Sequence, residues 1–147
     1  MTKKTLMVAL ALSILCASRG IAEPIQKSRD GVALGGFDAV AYFTDGKAVA
    51  GKADLHHSWK GAEWHFASAD DRDRFAADPG KYAPQYGGHC AWGMAQDHLQ
   101  NGDPEVWKIV GGKLYLFINQ DAREQWEKGL PATLSQGDQA WAPYTGP

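Results

Sequence analysis

Cysteine is close to absent. The 147-residue chain has two, Cys16 and Cys90, and no C-x-x-C spacing. That excludes a disulfide framework and thioredoxin-like exchange as organising features. Excess positive charge is also missing, with 15 Lys and Arg against 17 Asp and Glu, so nucleic acid and anionic lipid are poor partner classes. The longest apolar run, residues 6–17, is too short to cross a bilayer as a stable helix. We find no repeat at solenoid periods and no low-complexity tract.

What the apolar run does fit is an export signal. Lys3 and Lys4 precede it, and Gly20-Ile21-Ala22 offers the small residues that suit cleavage after Ala22. Leu15 before Cys16 argues against a lipoprotein. The expectation is a signal peptide over residues 1–22 and a periplasmic mature chain with no stable membrane anchor. Cleavage removes three of the 15 basic residues and none of the 17 acidic ones, taking the net charge from −2 to −5. It also leaves Cys90 alone in an oxidising compartment, where a thiol is buried, ligated or paired with another molecule.

The mature chain divides into a polar, loosely held segment over residues 23–35, one domain over 36–142, and a flexible tail over 143–147. Six Trp, five Tyr and five Phe supply enough apolar surface for a core without covalent staples. Lys60-Gly61 is a two-residue turn between two strands. Its register puts Leu55, His57 and Trp59 opposite Phe66, Trp64 and Ala62, with His56 and Ser58 opposite His65 and Glu63 on the other face. Ser68 starts a helix that Asp78-Pro79-Gly80 stops. Residues 106–110 and 114–118 pair around Gly111-Gly112, and Asn119 caps a helix over residues 120–128. This order predicts a small α+β single domain, two β-hairpins or a small antiparallel sheet packed against short helices.

Four stretches follow one another in an order and spacing that resemble the YHS domain family. They are Gly36-Phe37-Asp38-Ala39-Val40-Ala41-Tyr42-Phe43, Trp64-His65-Phe66-Ala67-Ser68, Phe75 with Asp78-Pro79-Gly80-Lys81-Tyr82, and Tyr86-Gly87-Gly88-His89-Cys90-Ala91. The resemblance is to a longer exported form of that family and runs on through the 106–126 region. It implies heavy-metal handling, which in the short form uses cysteines in D-P-V-C and F-C-S-x-x-C patterns. The matching positions here are Ala41, Ala67 and Asp71. Alanine cannot ligate a soft metal, so that thiolate site does not carry over. The family's tyrosine is Trp64 here, while His65 and Ser68 stand at the matching places.

Other residues are candidates in its place. Gly87 and Gly88 supply a sharp turn into a helix expected from about His89, with Cys90 in its first turn. Met94, four residues on, shares a face with Cys90 and makes a soft sulfur pair that suits Cu(I), while His89 points elsewhere. Packing is the expected role of that pair, because free Cys and Met are common core residues. His56 and His65, with Glu63 nearby, are a second candidate metal site, weighed against ordinary solvated strand histidines. His57 is expected beside Trp64, and His98 in a solvated loop. Trp64 and Trp92 are candidates for an aromatic pocket wall.

These features point to a periplasmic binding module, not an enzyme. A transition metal, copper first and zinc second, is its most specific ligand, and no catalytic residues or protein partner are assigned. The alternatives are a thiol-dependent redox protein using Cys90 and a small-molecule or protein-interaction module using aromatic side chains.

Overall fold

Two antiparallel hairpins, each followed by a helix, organise the computed structural model, which describes residues 24–146. The expected signal segment and its cleavage site lie outside the described residues. The first hairpin joins β1 (Lys52–Trp59) to β2 (Ala62–Phe66) and leads into α2 (Ala69–Ala77). The second joins β3 (Asp103–Val110) to β4 (Lys113–Phe117) and leads into α5 (Gln120–Lys128). Short helix α1 (Ala41–Thr44) precedes the first hairpin, α3 (Pro79–Tyr82) and α4 (Ala91–Ala95) lie between the two, and α6 (Ala132–Trp141) follows the second. The sheets are separate, so the α+β expectation holds in its two-hairpin form.

Both caps fall where sequence places them. Ser68 Oγ accepts the Asp71 N–H at 3.1 Å and Asn119 Oδ1 accepts the Ala122 N–H at 2.8 Å, each satisfying an amide that the first helical turn leaves unpaired. The first hairpin keeps its expected register from Trp59↔Ala62 to His56↔His65. There it departs, because Phe66 pairs with Lys52 and not Leu55. A bulge takes up residues 53–55, and His56 Nδ1 bonds the Ala53 carbonyl across it at 2.9 Å.

The structure also contains a two-fold repeat that is not of the solenoid kind. Lys52, Ala62, the cap Ser68 and Ala69 recur as Asp103, Lys113, Asn119 and Gln120, each 51 residues later. The second hairpin carries the same bulge, with Phe117 opposite Asp103 and Leu116 opposite Trp107. The cores match as well. Phe75 packs on Trp64 and Phe66 with ring centroids 5.0 and 5.1 Å apart, and Trp126 packs on Tyr115 and Phe117 at 5.0 and 5.2 Å. Upstream of each hairpin, Leu34-Gly35-Gly36 has φ of 55, 58 and 81°, and Tyr86-Gly87-Gly88 has 56, 60 and 87°. The described chain therefore contains one structural unit twice. Few side chains are shared between the copies, so a search for sequence periodicity passes over it.

Strand β4 is the wall between the two cores. Leu114 and Leu116 enter the first, with Val40, Tyr42, Trp64, Phe66 and Phe75, while Tyr115 and Phe117 enter the second, with Cys90, Met94, Trp126 and Trp141. All four are buried, as the two-residue period of a strand covered on both faces requires.

The leading segment is tied down and not loosely held. Gln26 exchanges side-chain bonds with the Gly102 backbone at 3.2 and 3.0 Å, and its N–H bonds the Gly87 carbonyl at 2.8 Å. In the expected tail, Tyr144 stacks on Trp141 at 5.0 Å within a 3-10 turn over Ala142–Tyr144. Among the described residues no helix is long and apolar enough to cross a membrane.

Candidate functional site

The corner around Cys90 follows from the left-handed run Tyr86-Gly87-Gly88. A Cβ at Gly87 would collide with the Pro24 carbonyl, so glycine is required there for space as well as for its φ of +60°. The turn role expected of Gly87 and Gly88 is present, but the helix starts later than expected. His89 is extended, Cys90 is the cap of α4 and not part of its first turn, and helical angles begin at Ala91. The Gly93 N–H donates to Cys90 Sγ at 3.5 Å, and the Cys90 N–H donates to the Gln100 carbonyl at 2.8 Å.

Cys90 and Met94 are 0% and 1% exposed and lie in the same core, as the packing expectation requires. His89, expected to point away, is itself buried beside Trp141, with ring centroids 5.9 Å apart. Its Nδ1 lies 2.8 Å from the Tyr86 carbonyl. Because a carbonyl only accepts, Nδ1 carries the proton and Nε2 keeps a lone pair. Burial lowers the His89 pKa, against the opposing pull of the Tyr86 carbonyl, so the ring is neutral near pH 7.

The equivalent position in the first unit is Asp38, which the sequence reading did not single out. Asp38 is 0% exposed, yet its carboxylate is fully engaged. Oδ1 accepts the N–H groups of Val40 at 2.8 Å and Ala41 at 3.2 Å, and Oδ2 accepts that of Ala67 at 2.8 Å. Asp71 completes the set by a side-chain bond to Asp38, and its pKa is pushed up to about 6 by burial first and then by the Asp38 charge. The three positions that the family resemblance gives to thiolates thus converge on one carboxylate, two through backbone amides and one through a second carboxyl. These donors are hard, and Ala41 and Ala67 offer no side-chain ligand, so a soft metal does not fit here. The signal was an aspartate inside the otherwise apolar run Phe37 to Phe43.

The hairpin histidines face each other as expected, with His56 opposite His65 and Glu63 two residues away. Their bonds lead elsewhere: His65 Nε2 meets Glu63 Oε1 at 3.0 Å, and His56 Nδ1 is on Ala53. Among the described residues no group of three or more His, Cys, Asp or Glu is placed to hold a metal ion, so the trio is not a ready-made centre. His57 packs edge-on to Phe75 at 6.1 Å, and His98 is exposed.

Trp64 is not placed to be a pocket wall. Trp64 is 1% exposed among Trp59, Phe75 and Phe66, and its Nε1 donates to the Trp59 carbonyl at 3.2 Å. Trp92 packs against the second core. Two surface hollows are found elsewhere. One of about 560 Å³ lies along Gln96, Asp97, Gln136 and Gln139, and one of about 210 Å³ lies between Trp59 and Trp141.

The YHS domain family matches residues 40–86, from the cap of α1 to Tyr86, which is most of the first unit. This segment is similar to a YHS domain. The match is narrower than the resemblance expected from sequence, and the second unit lies beyond it. The YHS domain is generally associated with metal handling, copper in particular. Among curated proteins and solved structures, no significant match to the chain is found.

Proposed function

We propose that the protein is a periplasmic YHS-type binding module, not an enzyme, and that it takes a soft transition-metal ion, copper(I) before zinc, at the Cys90 corner. The observation that supports this reading is the donor set: a thiol, a thioether and a neutral imidazole with its proton committed to Nδ1, all buried within six residues. Thiolate and thioether sulfur select Cu(I), and a backbone carbonyl bonded to the far ring nitrogen orients a ligating histidine. Cys90, Met94 and His89 would hold the ion. The repeat adds to this, since Cys90 occupies the anchoring position that Asp38 fills in the first unit. Export rests on the pattern in residues 1–22.

Competition of the purified protein for Cu(I) against a colorimetric chelator tests the assignment. The expected result is one equivalent held by the wild type and lost in both Cys90→Ser and Met94→Leu, with thermal unfolding still cooperative. A Cys90→Ser variant that stays folded and holds Cu(I) as tightly as wild type would overturn it, as would a wild type that never competes.

A further inference from the structure

The chain has two asparagines, and one of them stands before a glycine. Asn119 commits its side-chain oxygen to the Ala122 N–H, whereas Asn101 is exposed and precedes Gly102. Asparagine before glycine is a pairing prone to modify itself. The glycine nitrogen attacks the asparagine Cγ, ammonia leaves, and water opens the resulting succinimide to aspartate or isoaspartate. A following residue without a Cβ lets that ring close most readily.

The fold requires this glycine. A Cβ at Gly102 would stand 2.6 Å from the Leu116 Cβ and 2.7 Å from the Gly88 carbonyl oxygen. The first unit has the same constraint at Gly51, where a Cβ would stand 2.5 Å from the His65 carbonyl carbon. The residue before it is not so constrained. Ala50 pairs with Phe37 there as Asn101 pairs with His89 here, so alanine meets the needs of this backbone.

The units differ again at the nitrogen that would attack. In the first, the Gly51 N–H donates to the Gly36 carbonyl at 2.8 Å. In the second, the Gly102 N–H donates to the matching Gly88 carbonyl at a longer 3.2 Å, and also to Gln26 Oε1 at 3.0 Å. Gln26 is itself fixed, by its N–H on the Gly87 carbonyl at 2.8 Å and its Nε2 on the Gly102 carbonyl at 3.2 Å. One side-chain amide thus grips both the N–H and the carbonyl of Gly102.

We propose that Asn101-Gly102 is a deamidation site held closed by Gln26. Ring closure needs the Gly102 nitrogen to give up its proton and turn onto Asn101 Cγ, and neither happens until the bonds to Gln26 and Gly88 open. The product alters the Cys90 corner. Aspartate puts a carboxylate opposite His89, and isoaspartate adds a backbone atom next to Gln100, whose carbonyl accepts the Cys90 N–H at 2.8 Å. The site stands independently of metal binding at Cys90.

Peptide mass mapping of the purified protein, aged in warm, mildly alkaline buffer, follows conversion of the Asn101 amide to an acid. Folded wild type is expected to stay intact while the same chain in guanidinium chloride converts. Gln26→Met keeps the side-chain length without an accepting oxygen and should convert about tenfold faster than wild type, the factor for one lost hydrogen bond. Gln26→Glu keeps an acceptor and should stay slow. Cooperative thermal unfolding of each variant separates these effects from loss of the fold, and the native-against-denatured comparison needs no variant. Three results would overturn the proposal: folded wild type converting as fast as the denatured chain, a folded Gln26→Met converting no faster than wild type, or Gln26→Glu converting as fast as Gln26→Met.

Discussion

The Asp38–Asp71 pair shows how one proton can be built into a fold. Asp38 is committed as an acceptor by three amides, so the bond between the two side chains needs a proton on Asp71. The Asp71 pKa is raised from 3.8 to about 6, so between those values the folded state holds a proton that the unfolded chain has released. The stabilisation is therefore complete below about pH 4 and is lost as pH rises through about 6. His89 acts in the opposite sense: its lowered pKa contributes stability that is present above its ordinary value and lost as pH falls through the folded one. Wild-type stability is thus a composite, and a variant isolates the pair. In Asp71→Asn an amide replaces the shared proton at every pH. Urea midpoints between pH 4.5 and 7.5 should show wild type losing stability relative to Asp71→Asn as pH rises. A constant difference across that range would mean that no proton is shared.

The two hairpin–helix elements are a matched experiment within one chain. Ser68 and Asn119 occupy the same cap, accept from the same position three residues on, and precede helices of equal length. Ser68→Ala and Asn119→Ala should each cost about 1 kcal/mol in urea unfolding, the usual value of a lost cap. The serine variant should cost the more if Ser68 also holds Asp71 in reach of Asp38. Equal losses at pH 5 and pH 7.5 in both variants would sever the cap from the carboxyl pair.

At the scale of the whole molecule, the C-terminal helix α6 is seated by one close contact. A Cβ at Gly137 would stand 2.6 Å from the Tyr86 hydroxyl, which bonds the neighbouring Asp138. Glycine in a helix interior ordinarily costs up to about 1 kcal/mol against alanine, so Gly137→Ala would stabilise an isolated helix. Here the contact should win. The variant is expected to lose about 2 kcal/mol, as forced overpacking does, and to break the Tyr86–Asp138 bond that burial and Asp138 use to raise the Tyr86 pKa. A more stable Gly137→Ala protein would show that α6 can move away freely.

What the sequence by itself determined is local. Caps, turns and strand alternation depend on residues within a few positions of one another, so Ser68, Asn119, Lys60-Gly61 and the His56–His65 pairing could all be read from it, as could the burial of Cys90 in so apolar a neighbourhood. The bulge at residues 53–55 could not, because β1 continues its apolar alternation through it. Trp64 is a candidate pocket wall in the sequence and a core residue in the fold, because one indole reads alike in a core and at a cleft. Only the folded chain placed Ala67 and Asp71 against Asp38 and showed that two halves with few shared side chains repeat one backbone. Each of these rests on residues far apart in sequence, and distance through space between such residues is set by the packing of both cores against β4.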